Sequence, residues 1–187
     1  MKFSTKLLLC TVMLMAAVLG FSGFYFVNYV FESSLEREVR QAMDESSILR
    51  FAFETASLNV PTKYDVLPNG SVFQIASNME AGSQNAGRLL RITDEGRNVL
   101  YESEGFAADE SLLEQTREGM KTYRVIGAGE DFYIQTASTV NALDRTLYLE
   151  TLKDVSEVFR DRAMGFSVYR RLTFLMLLLG TLVMHFI

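Results

Sequence analysis

Hydrophobic positions gather into two predominantly apolar runs near the ends of the chain, residues 7–31 and 172–187, with periodic patterns between them. The first run holds 25 residues without a charged side chain. At about 1.5 Å of helical rise per residue it is long enough to cross a hydrocarbon core of about 30 Å, with Lys2 and Lys6 as cytoplasmic anchors. Its basic start and the small residues Ala16, Ala17 and Gly20 also fit a cleaved signal peptide. The run continues through Phe21, Phe24, Tyr25, Phe26, Val27 and Tyr29, however, and a second apolar segment follows, which favours a retained membrane helix. Leu7, Leu8 and Leu9 lack the small residues that would make Cys10 a lipoprotein site. Ala16 and Gly20 form a small-xxx-small pair and Asn28 is a polar residue near the outer end, so all three are candidate transmembrane dimer contacts.

From residue 32 to 59 the pattern turns amphipathic without a breaker. Leu35, Val39, Ala42, Ser46, Leu49, Phe53 and Ala56 follow a 4,3 spacing. The stripe fits either a parallel dimer seam or a face packed on the domain's own sheet, and Ala42 and Ser46, weak coiled-coil core residues, favour the second. Pro61 and Pro68 bracket the turn that ends this helix. Val72, Ile75, Ala76 and Met79 predict a short helix capped by Asn69 or Ser71, with Gln74 completing a capping box, and the polar run 81–87 ends it. Residues 88–93 and 98–102 read as a hairpin around Asp94, Glu95, Gly96 and Arg97. Asp109 caps a further short helix through Leu112, Leu113 and Thr116, which Gly119 stops. Strands are predicted at 120–126, 131–138 and 145–152, and an amphipathic helix at 154–171 carries Val155, Val158, Phe159, Phe166 and Tyr169 near one face. The fold class is therefore α+β, a five-stranded antiparallel sheet with flanking helices between two transmembrane helices.

Composition narrows the function. All 23 acidic residues, and all of the 18 basic ones except Lys2 and Lys6, lie in 32–171, giving that segment a net charge of about −7. This argues against nucleic acid or an anionic membrane surface as that segment's partner. Cys10 and His185, the only residues of their types, sit in the apolar ends, so the central segment has no disulfide, Cys or His metal site, Cys nucleophile or Ser/His pair. No catalytic residues, cofactor or metal site are expected. Glu102, Glu104, Asp109 and Glu110 lack the spacing of a calcium loop and read as a solvated acidic loop.

The order of long helix, short helix, hairpin, helix, three strands and exit helix suggests a PAS-like extracytoplasmic sensor fold of the Cache type. Arg91-Ile-Thr-Asp-Glu-Gly-Arg-Asn-Val-Leu-Tyr-Glu-Ser and Tyr148-Leu-Glu-Thr-Leu-Lys-Asp-Val-Ser-Glu-Val-Phe, with Tyr169-Arg-Arg-Leu at the membrane, resemble the sensor regions of Gram-positive bacterial two-component sensor histidine kinases. The resemblance covers the chain in layout, and its motifs contain no catalytic fingerprint. It implies a bacterial plasma-membrane protein with two passes: residues 1–31 as cytoplasmic start and first transmembrane helix, 32–171 as extracytoplasmic sensor domain, and 172–187 as a second transmembrane helix cut short. It also implies a continuation into a HAMP linker, a dimerisation helix pair with the phosphoacceptor histidine and an ATP-binding kinase domain. His185 lacks the acidic neighbour and downstream proline of a phosphoacceptor. The expected partners are the lipid bilayer, a second copy in a homodimer, an unknown small-molecule or protein signal, and a response regulator reached through the kinase region.

A ligand pocket in such a fold lies between the sheet and the connecting segments. Tyr101, Tyr123, Tyr133, Gln135 and Tyr148 are the candidate lining residues, with Arg91 or Arg124 available for an anionic ligand. The alternatives are the sensor module of a chemoreceptor or cyclic-dinucleotide enzyme, and a non-signalling membrane-anchored interaction protein.

Overall fold

The 4,3 stripe and the uncharged run before it form one helix, α1 (Phe3–Ser57), in the computed structural model, which describes residues 3–61, 66–83, 87–107, 109–116 and 121–186. The remaining elements are α2 (Asn69–Ser83), β1 (Arg88–Asp94), β2 (Val99–Glu102), α3 (Ser111–Gln115), β3 (Lys121–Ala128), β4 (Asp131–Asn141), β5 (Thr146–Asp154) and α4 (Ser156–Phe186). The expected anchor Lys2, the helix stop Gly119, the strand start Met120 and part of the polar run 81–87 lie outside the described residues, as does the side chain of His185. The chain divides into two compact units, Glu36–Ser156 and a second made of Met1–Leu35 with Glu157–Ile187.

In the first unit the five strands form one antiparallel sheet in the order β2-β1-β5-β4-β3. The hairpins β1–β2, β3–β4 and β4–β5 join sequence neighbours, and the pairing of β1 with β5 closes the sheet from its two chain ends. Strand alternation gives the sheet two faces. Leu90, Ile92, Tyr101, Val140, Leu147 and Leu149 point to one, where they bury against Phe53 of α1 and Val72 and Ala76 of α2. Of the two readings of the α1 stripe, Ala42, Ser46 and Phe53 follow the second: all three are buried within this unit. The Phe53 end of that contact is apolar. The Ala42–Ser46 end is polar, with Lys153 2.8 Å from Glu38, Arg88 2.7 Å from Glu45, and a 2.7 Å hydrogen bond between the hydroxyls of Thr136 and Thr151.

One local expectation changes, and one turn shows a detail of its own. Helix α2 starts at Asn69, because the Pro68 carbonyl accepts from Ser71 N (3.0 Å) and Val72 N (3.1 Å). Ser71 therefore lies inside the first turn and does not form the cap of a Ser71–Gln74 box. In the β1–β2 turn the left-handed residue is Arg97 (φ 62°), not Gly96. Asp94 makes this tolerable, since its carboxylate accepts from Asn98 N at 2.8 Å and its carbonyl from Arg97 N at 2.9 Å.

In the second unit, α1 and α4 run antiparallel, in contact from Phe31 with Phe159 to Met15 beside Gly180. The face of α4 that the sequence singled out is the one in contact: Phe159 packs edge-on to Phe31 (5.1 Å between centroids), and Phe166 lies 5.9 Å from Phe24. Both helices are long and apolar enough to cross a membrane, by length and composition.

Candidate functional site

The other face of the sheet carries a chain of polar side chains that fold together because of register. Arg91 on β1 pairs with Glu150 on β5, and Glu150 in turn pairs with Ala137 on β4, so the three share a face. Arg91 Nε donates to Glu150 Oε2 at 2.7 Å, and its guanidinium lies 3.8 Å from Glu102 and 4.9 Å over the Phe106 ring. Glu150 is fully buried, and its other oxygen accepts from Gln135 Nε2 at 2.9 Å. The Gln135 amide also closes on the backbone of Asp109, accepting from Asp109 N at 3.0 Å and donating to its carbonyl at 3.2 Å. Asp109 then holds Arg124, which also donates to Ser111 Oγ at 2.6 Å. Hydrogen bonds from the Ser111 side chain and backbone, and then the Arg124 guanidinium, hold the Asp109 carboxyl below the usual carboxylate range.

Five of the seven candidate ligand residues thus fall on one face. Arg91, Gln135 and Arg124 belong to the polar chain. Tyr148 packs on Leu112, Leu113 and Ala137, and Tyr133 shares their side by strand alternation. Burial, with the nearby carboxylates of Asp131 and Asp154, raises the Tyr133 hydroxyl above its ordinary pKa. The other two lie on the opposite face. Tyr123 is half exposed, and Tyr101 is buried in the core, edge-on to Phe73 and hydrogen-bonded to Glu80. Both arginines proposed for an anionic ligand already have carboxylate partners in the chain. An anion reaching either one competes with Glu150 or Asp109.

Tyr101 yields a pH prediction. Burial first, and then the Glu80 carboxylate, push its hydroxyl up to about 12 from 10.0. The folded state therefore keeps its proton where the unfolded chain has lost it, so this contribution to stability is intact below pH 10 and is lost as pH rises from 10 towards 12. Thermal unfolding of the full chain across that window should show the loss, and Tyr101→Phe should flatten it. An identical alkaline limb in the variant would contradict this assignment.

In the helix-pair unit, Asn28 is engaged within its own chain: Nδ2 donates to Phe24 O at 2.9 Å and Oδ1 accepts from Arg162 at 2.8 Å. Arg162 also lies 4.5 Å over the Phe31 ring. Ala16 is half-buried and Gly20 is exposed, with nothing within 4 Å of where its Cβ would stand. The close approach falls on glycines that sequence reasoning passed over. A Cβ on Gly23 would sit 1.7 Å from the Tyr169 ring, and one on Gly165 3.4 Å from Val27. Tyr169 donates to Leu19 O at 2.6 Å and lies 3.1 Å from Ser22 Oγ.

The expected outcome of Gly23→Leu is separation of the helices at Tyr169. In a Cys10→Ser background, disulfide cross-linking between cysteines placed at Met15 and Gly180, where Met15 Cε lies 3.7 Å from the place a Gly180 Cβ would take, should fall several-fold. Gly20→Leu should leave it unchanged. Small residues at a contact are the one sequence signal that could have found Gly23, Gly165 and Gly180.

The described residues hold no group of three or more His, Cys, Asp or Glu placed to bind a metal ion. No known family model matches the chain, and no curated protein is significantly similar to it.

Proposed function

We propose that the chain is the signal-sensing region of a bacterial membrane-bound sensor histidine kinase, with a PAS-like α+β unit outside the cell between two membrane crossings. The observation that carries this reading is the joint between β5 and α4. A single residue, Val155, separates strand from helix, and both of its neighbours are held. Val155 N donates to Phe132 O at 2.8 Å, Ser156 Oγ accepts from Phe132 N at 2.9 Å, and Asp154 Oδ1 accepts from Ser156 N at 2.8 Å. A displacement of the sheet reaches the start of α4 without being absorbed by a linker.

The entry side has the same property, because α1 carries both the uncharged run and the stripe buried on the sheet. A signal that favours one of two arrangements of the sheet and its helices then biases the membrane helices by piston, tilt or rotation. The Arg91–Glu150–Gln135–Asp109–Arg124 chain is where a small-molecule signal would act, by exchanging with an internal carboxylate. Homodimerisation fits the side of α1 turned away from the sheet, where Ile48, Phe51 and Leu58 are exposed at 66, 69 and 73%. The response regulator is reached through a kinase region that follows this chain.

Reading the coding sequence past Ile187 tests the kinase assignment. A HAMP linker, a phosphoacceptor histidine and an ATP-binding domain are expected. A stop codon there would overturn the assignment in favour of a membrane-anchored interaction protein, and a methyl-accepting or cyclic-dinucleotide region would place the same module elsewhere.

A further inference from the structure

The helix-pair unit is free of carboxylates over most of its length. Residues 1–31 and 162–187 contain no Asp or Glu, yet they contain Arg162, Arg170 and Arg171. The chain provides for Arg162, through the Asn28 carbonyl and the Phe31 ring. Arg170 and Arg171 are exposed and have no hydrogen-bond or ion-pair partner among the described residues.

Their level along α1 is fixed by their neighbours. Tyr169 bonds Leu19 O and Ser22, and Gly180 faces Met15, so the two arginines stand beside residues near Ser22, inside the uncharged run. That is about nine residues, or about 14 Å of helix, short of Phe31. Asp161, the nearest acid on α4, is nine residues away from Arg170, again about 14 Å of helix. Arg170 also forms part of the wall of a groove of about 560 Å³ between the two helices, whose apolar lining includes Gly20, Phe24, Phe166, Phe174 and Leu177.

We infer that this groove, with Arg170 and Arg171, binds an anionic phospholipid, with an acyl chain along the glycine and phenylalanine wall and the phosphate at the two guanidinium groups. The inference rests on the membrane crossing proposed above. Two adjacent guanidinium groups at the edge of an apolar surface require a counter-charge. Among the described residues none is placed to supply it, and a second copy at the same depth brings the same carboxylate-free band. The long arginine side chains extend along the helix to the membrane interface, where a lipid phosphate offers oxygens in the geometry that a guanidinium fork matches. A lipid with net negative charge is required, because a zwitterionic headgroup brings its own cation to the phosphate.

The test uses the full chain extracted from membranes in mild detergent, with bound lipid counted by native mass spectrometry in the presence of phosphatidylglycerol or phosphatidylcholine. Phosphatidylglycerol should be retained about tenfold or more over phosphatidylcholine, and R170Q/R171Q should remove that preference. Gly20→Leu, which fills the groove and keeps both charges, should lower retention of the lipid, while Arg40→Gln should not. Inorganic phosphate should not displace the lipid; displacement would show a free-anion site and overturn the acyl-chain part. Equal retention of the two lipids, or unchanged preference in R170Q/R171Q, would overturn the inference. Release of the chain from membranes by alkaline carbonate would instead overturn the crossing itself.

Discussion

Glu150→Ala should destabilise the α+β unit by about 3–5 kcal/mol, because it leaves the Arg91 guanidinium buried without its main counter-charge. Glu150 is fully buried and accepts from both Arg91 (2.7 Å) and Gln135 (2.9 Å). Glu102, 3.8 Å from Arg91 and 42% exposed, is too distant and too hydrated to replace it. The loss should appear in denaturant unfolding of the full chain in detergent, and the Gln135 link to Asp109 should loosen with it. The double variant Arg91→Met, Glu150→Leu should recover most of the lost stability, since removing both charges also removes the cost of burying them. A double variant as unstable as the single one would mean that Glu150 acts through packing and not through Arg91.

Phe53→Ala should cost a similar amount, about 3–5 kcal/mol, for a different reason. Phe53 has no exposed surface and is the α1 residue at the centre of the cluster formed with Leu67, Val72, Ala76, Leu147 and Leu149. Truncation removes the ring's transfer free energy and leaves a cavity between elements that pack from three directions. Phe51, two residues earlier on the same helix, is 69% exposed. Phe51→Ala should change monomer stability by no more than about 0.5 kcal/mol. Equal losses in the two variants would contradict the orientation of α1 on the sheet.

That orientation was legible in part, because the 4,3 stripe through Phe53 and Ala56 fitted either a dimer seam or the sheet, and only the weak coiled-coil residues Ala42 and Ser46 favoured the sheet. The number of strands and their antiparallel sense were legible too, since each run of alternating residues is followed by turn chemistry such as Asp94 with Asn98 or the glycine at 129. The pairing of β1 with β5 was not, because either strand alternates well enough to pair with several others. The buried carboxylate was hidden for the same reason. Glu150 lies 59 residues from Arg91, and only register brings them opposite one another. Tyr101 and Tyr123 were grouped with Tyr133 and Tyr148 by residue type, while strand parity sends them to the other face. At the helix pair, Asn28 was read as a dimer contact, while in the structure it accepts from Arg162 of its own chain, 134 residues away. Gly23 carried no signal of its own until Tyr169 was placed against it.

The exit helix was expected to belong with the sheet domain as far as residue 171. In the structure the compact α+β unit ends at Ser156, and Phe159, Phe166 and Tyr169 pack on α1 within the helix pair. The stretch between sheet and apolar segment is thus helical from Ser156 onward.

The central claim is that the sheet unit stands outside the cell between two membrane crossings. It is tested most directly by labelling a single cysteine at Glu95, exposed in the β1–β2 turn, in a Cys10→Ser background with a membrane-impermeant maleimide. Labelling of intact cells, unchanged after lysis, is the predicted result. Labelling only after lysis would place the sheet in the cytoplasm and contradict the sensor reading.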